Sequence, residues 1–230
     1  MRHNEHGQPI GEPLEDWMPP PSPERATLSG RTVAVEPMSY AEHGAALFAS
    51  LSDAPESLWT YMGFGPLRQT KDLEEAIGAM TEAPDWRPYA IVTPDDGPCG
   101  IACYLRIQPP IGVIEIGSIV FSPRLQRTTA ATEALYLMMR HAFDLGYRRC
   151  EWKCDALNEP SRRAAVRLGF AYEGIFRQAT HYKGRNRDTA WYAIIDGDWP
   201  ELDAAFTAWL APDNFDATGS QCRALGAFRG

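Results

Sequence analysis

Ile114 to Phe170 reads IEIGSIVFSPRLQRTTAATEALYLMMRHAFDLGYRRCEWKCDALNEPSRRAAVRLGF, and its segments change hydrophobic period in an order that decides the fold. Val113 to Phe121 is rich in β-branched residues and stops at Ser122-Pro123, as a strand does where proline cannot donate to a ladder. Ala131, Ala134, Leu135, Met138, Ala142 and Phe143 then follow helical spacing, which predicts a helix with one apolar face that ends at Gly146. Arg148 to Asp155 alternates, with Cys150, Trp152 and Cys154 on one face and Glu151 and Lys153 on the other, so a half-buried strand is expected. A short second helix is predicted from Asn158 as N-cap, Pro160 in the first turn and Gly169 as C-cap.

Strand, helix and strand of these lengths make a βαβ unit with parallel strands. The loop leaving the first strand, Pro123 to Thr129, therefore delivers the chain to a helix N-terminus whose first amides have no partners of their own. Such amides suit a phosphate or diphosphate, and Arg127, Thr128 and Thr129 add charge and hydroxyls. Taken alone, the loop is better read as an ordinary cap whose threonines satisfy the backbone.

The whole stretch resembles the GNAT acyltransferases, and within them the ribosomal-protein N-terminal acetyltransferases. Gln126-Arg127-Thr128-Thr129-Ala130-Ala131, followed by Thr132-Glu133-Ala134, is similar to that branch's Q-G-x-G-x-A-T-E-A diphosphate loop. Asn158 to Phe170 is similar to its N-x-x-S…G-F motif, and the likeness runs over roughly 31–200. The resemblance implies a mixed α/β (α+β) fold, with a mostly antiparallel central sheet, a parallel pair at the cofactor cleft and helices on both faces. It implies acetyl-CoA as co-substrate, held by Val120, Phe121, Gln126, Arg127, Thr128, Thr129, Ala130, Ala131, Asn158 and Ser161. Arg127 and Thr129 stand where the family has glycines, and their approach to phosphate is expected at φ < 0. Ala165 stands where the wider superfamily carries a tyrosine general acid.

A chain of 230 residues with 44% apolar residues suits one α/β domain at 31–212, an extended proline-rich arm at 1–30 and a poorly ordered tail at 213–230. The formal net charge of −8 argues against nucleic acid as a partner. Neither a membrane span nor the apolar middle of a signal peptide is present, so a cytoplasmic protein, monomeric or homodimeric, is expected. Five cysteines fit reduced thiols. Cys150 and Cys154 would lie roughly 13 Å apart on a strand, too far for one zinc, and no metal is expected.

The arm is read as an extended segment wrapped over the surface, with a PxxP ligand or a disordered leader as alternatives. Arg31 to Glu36 is expected as the first strand, Tyr40 to Ser52 and Lys71 to Met80 as helices, and Trp59, Tyr61 and Phe64 in a structured loop. Tyr89 to Thr93 and Gly100 to Ile107 make a hairpin that leaves Cys99 in its loop; Tyr172 to Tyr182 and Thr189 to Ile195 make another. Asp198 caps a final helix, and His43 and His141 are read as surface or rim residues.

Transfer to an amine needs a base, because the amine is protonated at neutral pH. Glu115 is the first candidate: it is a carboxylate in an apolar strand, on the face of Gly117, Ile119 and Phe121 by alternation, and the resemblance places a base there. Its alternative reading is a structural glutamate paired with an arginine such as Arg106. His181 is the second candidate base. The strand-end amides at 119–122 are the expected oxyanion donors. The resemblance places Ser161 at the leaving thiolate, as hydrogen-bond donor or proton relay, and Trp59 and Tyr61 beside the acceptor, where core or lid roles are the alternative. The acceptor is a small-molecule or peptide amine. A non-catalytic acyl-CoA-binding or regulatory protein of the same fold is the other functional reading.

Overall fold

The computed structural model describes residues 1–229. From the N-terminus these form β1 (Arg2–His3), β2 (Pro9–Ile10), β3 (Leu28–Ser29), β4 (Ala34–Pro37), α1 (Tyr40–Leu51), α2 (Thr70–Glu82), β5 (Arg87–Thr93), β6 (Gly97–Gln108) and β7 (Val113–Phe121). There follow α3 (Thr129–Asp144), β8 (Arg149–Asp155), α4 (Glu159–Leu168), β9 (Ala171–Tyr182), β10 (Arg185–Ile195) and α5 (Trp199–Leu210). β1 and β2 make a separate small hairpin, and the other strands form one sheet in the order β3-β4-β5-β6-β7-β8-β10-β9. Every neighbouring pair is antiparallel except β7 and β8, the parallel pair expected from the βαβ pattern.

Both sheet faces are covered by helices, and alternation sorts the core accordingly. Tyr104, Ile114, Ile116, Cys150, Trp152 and Tyr192 face one cluster with Leu135, Met138 and Met139 of α3 and Phe206 of α5. Ile101, Cys103, Leu105 and Val120 face a second with Leu47 and Leu51 of α1 and Leu73 and Ile77 of α2. Cys99, expected in a loop, is fully buried in β6.

Several local expectations change. The strand expected from Arg31 begins only at Ala34, as β4, because Glu133 of α3 holds 31–32 in the turn that joins β3 to β4: its carboxylate accepts the amides of Arg31 (2.6 Å) and Thr32 (2.8 Å) and the Thr32 hydroxyl (2.5 Å). Alanine at 133 leaves three donors without their partner, at about 1 kcal/mol each. The expected loss is about 3 kcal/mol, or about 6–12 °C in Tm at this chain length, readable by calorimetry.

Alternation along β7 also breaks. Ser118 sits in a bulge at φ 50°, so Val120, rather than Ile119 and Phe121, returns to the face of Glu115 and Gly117. β8 is buried on both faces rather than half-buried: Cys150, Trp152 and Cys154 lie in the α3 cluster, and Glu151, only 5% exposed, packs with Lys153, Glu115 and the Trp191 ring on the other face. His43 is buried, with Nε2 3.0 Å from Glu36, and His141 lies half-buried beside the Tyr104 hydroxyl.

Both ends of the chain pack. Trp17 lies against Gly112 and the Arg148 guanidinium, and the carbonyls of Pro21 and Glu24 accept the hydroxyls of Tyr147 and Tyr89. The tail, expected to be poorly ordered, is tied down by Asn214 through the carbonyls of Trp209 and Arg223 and by Leu225, which is buried in the core.

Candidate active site

β7 and β8 pair over three residues only, Val113 to Glu115 against Arg149 to Glu151. Beyond that, β7 keeps β6 as its sole partner from Ile116 to Phe121, and β8 keeps β10 from Trp152 to Asp155. The sheet therefore opens along its middle, exposing strand edges that can pair with an extended amide-bearing group.

At the far end of the opening stands the start of α3. Ser122 accepts the amides of Leu125 and Gln126, and buried Leu125 fixes the loop by packing against Gly100. Thr128 is the N-cap: its Oγ1 accepts the Ala131 amide at 3.1 Å and donates to the Leu125 carbonyl at 2.7 Å. Ala131 and Thr128 therefore have their amides engaged, whereas those of Arg127, Thr129 and Ala130 have no acceptor among the described residues. Gln126 turns back to donate to the Phe121 carbonyl at 2.9 Å, and the Thr129 hydroxyl meets Gln221 from the tail at 3.3 Å.

Arg127 departs from expectation. It has φ 63°, the left-handed region, while Thr129 is helical. The family's glycine after Gln126 is thus a backbone requirement, which arginine meets here at a cost of about 1–2 kcal/mol. Arg127→Gly is expected to hold or slightly raise stability in urea denaturation, and Arg127→Val to lower it, since a β-branched residue fits that region worst.

At the closed end of the opening lies a row of charges whose centre, Glu115, Lys153 and Glu151, is buried and whose ends, Arg106 and Glu173, reach solvent. Lys153 Nζ is 2.9 Å from Glu115 Oε2 and 2.5 Å from Glu151 Oε2, and it sits 4.0 Å from the centre of the Trp191 ring. Arg106 approaches Glu115 Oε2 at 3.8 Å, and Arg149 joins Glu151 (2.8 Å) to Glu173 (2.5 Å). Burial pushes the Glu115 carboxyl above its ordinary range, against the pull of Lys153 and Arg106. Burial pushes Glu151 up too, but hydrogen bonds from Lys153 and Arg149 outweigh it and hold that carboxyl below its ordinary range. Glu115 is therefore both the buried carboxylate beside the opening and the partner of a cation, Lys153 as well as Arg106. Sequence reading missed Lys153 because Glu151-x-Lys153 looks like a solvated face; the clue was that the same spacing sets acid and base side by side on a strand next to Glu115.

α4 walls the opening. Asn158 Oδ1 caps it by accepting the Ser161 amide at 3.2 Å, and Ser161 Oγ accepts the Trp152 indole N–H at 3.0 Å with the Cys154 thiol as a second neighbour of the hydroxyl. Ala165 is fully buried. On the opposite side, the 3-10 turn Glu56–Trp59 and the loop after it meet the β9–β10 turn. Lys183 Nζ donates to the carbonyls of Trp59 (2.8 Å), Gly65 (3.1 Å) and Phe64 (3.3 Å), and Arg185 to that of Thr60 (2.7 Å). Tyr61 closes the ring by donating to the Leu157 carbonyl at 3.1 Å, next to Asn158. The Trp59 ring is 2% exposed in the apolar cluster of α1 and α2. His181 is exposed on β9, while its neighbour Tyr182 donates to Asp155 at 2.8 Å; burial and that bond lift the Tyr182 phenol to about 12.

A sheet that parts in its middle, unpaired helix amides at one end and a buried carboxylate at the other define an acyltransferase cleft. The acetyltransferase (GNAT) domain family matches residues 33–171, and the chain belongs to that family. It is 45% identical to a GCN5-related N-acetyltransferase from Brucella melitensis, with a TM-score of 0.90 over 94% of this chain and 99% of that one. A probable GNAT-family acetyltransferase from Chromobacterium violaceum is 37% identical, with a TM-score of 0.79 over 84% and 97% of the two chains. The uncharacterized N-acetyltransferase YnaD of Bacillus subtilis is 28% identical over 81 residues, which is 35% of this chain and about half (48%) of that protein. A protein from Vibrio cholerae described as a putative ribosomal-protein-serine acetyltransferase (17% identity) and two L7/L12 acetyltransferase structures (20% and 22%) share the fold. Among the described residues no helix is long and apolar enough to cross a membrane.

Proposed function

We propose that the protein transfers an acetyl group from acetyl-CoA to a primary amine of a small molecule or peptide in the cytoplasm, by direct attack. The observation that carries this is the parting of β7 from β8 immediately after Glu115, with the open amides of α3 at its other end. The groups present fit the co-substrate: the amides of Arg127, Thr129 and Ala130 would take the diphosphate, and the free edges of β7 and β8 the pantetheine amides. When bound, it supplies the activated acyl group.

The chain's own groups then divide the work. Glu115 takes the proton of the acceptor ammonium, directly or through water, its basicity raised by burial. Amides on the edge of β7 that faces the opening would receive the charge that develops on the acyl oxygen, but not that of Ser122, which the Cys99 carbonyl engages at 3.0 Å. Ser161 would turn its hydroxyl from the Cys154 thiol to hydrogen-bond the departing sulfur. Tyr61 lies in the ring that borders the acceptor side, and Trp59 supports that ring from beneath.

The test is calorimetric titration with CoA together with thiol release from acetyl-CoA over an amine panel of spermidine, glycinamide and a serine-initiated tetrapeptide. Binding with turnover supports the reading. Binding without turnover on any amine points to the acyl-CoA-binding alternative, which the buried Ala165 favours, and absence of CoA binding overturns both.

A further inference from the structure

We infer that Lys153 is a positioning residue for Glu115, holding one carboxylate oxygen so that the other is turned into the cleft over Gly117. The inference rests on Glu115 being the base. Lys153 Nζ and Arg106 both approach Oε2, at 2.9 and 3.8 Å. Oε1 has no partner among the described residues. It lies alongside Gly117: a Cβ built on that residue would be 3.2 Å from Oε1 and 2.7 Å from Leu105 Cδ1. Gly117 is also in the part of β7 that has left β8. Any side chain there would stand between the free oxygen and the opening.

Lys153 can hold this position because it is itself held. Two carboxylates flank its ammonium, the Trp191 face covers it and its side chain is 6% exposed. A rotation that freed it would strand three charges in a place water scarcely reaches. The charged groups facing Glu115 are Arg106 from β6 and Lys153 and Glu151 from β8, with Arg149 acting on Glu151; β10 contributes the uncharged Trp191.

The arrangement predicts opposite effects from two neighbouring substitutions. Without the ammonium, Glu115 and Glu151 are adjacent buried carboxylates, and one must take up a proton at higher pH. Without the Glu151 charge, Lys153 serves Glu115 alone, and Glu115 stays ionised to lower pH. A carboxylate base works only above its pKa, so activity falls as pH drops through that value. The acid limb of kcat/KM therefore moves up by about one unit or more in Lys153→Met and down in Glu151→Gln, with Lys153→Arg returning toward the parent.

The experiment measures these limbs by thiol release from acetyl-CoA with the amine of the panel that turns over fastest, and CoA affinity by calorimetry. Limbs that move apart at unchanged CoA affinity establish the role. Limbs that stay put, or move the same way in both variants, overturn it. Should Lys153→Met fail to fold, Lys153→Gln, which keeps a donor to Glu115 without the charge, takes its place: an upward limb supports the role and an unmoved one overturns it. Turnover that survives in Glu115→Gln refutes the base assignment itself and the inference with it. An inactive Glu115→Gln with unmoved limbs refutes the inference alone.

Discussion

Glu115→Gln is expected to lower turnover of acetyl-CoA with an amine about 10²–10⁴-fold while CoA affinity stays within about twofold of the parent. The substitution keeps the shape of the side chain and a group that Lys153 can still donate to, but removes the charge that accepts a proton. Lys153 retains Glu151, so the buried ammonium is not left alone, and stability should change little. In the proposed reading CoA is held by the amides of α3 and the edges of β7 and β8, none of which involves the Glu115 side chain. A variant that loses affinity and rate together would place the defect in the scaffold, and one that loses neither would leave His181 or water as the base. Thiol release and calorimetric titration on one preparation separate these outcomes.

Thr129→Asp should do the reverse. A unit charge about 5 Å from a diphosphate charge at an effective dielectric near 20 costs about 3 kcal/mol, so CoA affinity is expected to fall about 100-fold or more. The same aspartate in the first turn of α3 faces the positive end of the helix and favours folding by about 0.3–1 kcal/mol, partly offset by the lost Gln221 contact. Weaker binding in a protein that melts no lower is a pairing that general damage to the fold cannot produce. Unchanged affinity would remove the diphosphate from this helix.

How much of this was legible depended on whether the cause lay within a segment or between segments. The bounds of β7 follow from the chain itself, with Gly112 before it and Pro123 after it, and α4 announces its ends through Asn158, Pro160 and Gly169. The parallel pair and the helix amides could be reasoned from order and length. The bulge at Ser118 could not, because it reflects how β6 pairs with β7 and moves side chains to the opposite face without a change in composition. Nor could the state of Lys153: a lysine between Glu151 and Asp155 at alternate positions is the pattern of a wetted strand unless one knows that Glu115 and the Trp191 ring close over it. Arg127 shows the limit differently, since the family's glycine signalled the conformation and the residue present concealed it. Of the candidate site residues, Ser161, Asn158 and Tyr61 come together at one wall, whereas Trp59 sits in the core and His181 in solvent.

Lys183 lends its ammonium to three carbonyls of a loop more than a hundred positions earlier in the chain, and Arg185 takes a fourth. Two stretches that a sequence alignment would treat as independent surface variation are therefore one mechanical part. Anyone grafting either stretch from a relative would have to transplant 59–65 and 183–185 as a matched set, because a new loop beneath the old hairpin tip inherits carbonyl positions it was not built to satisfy.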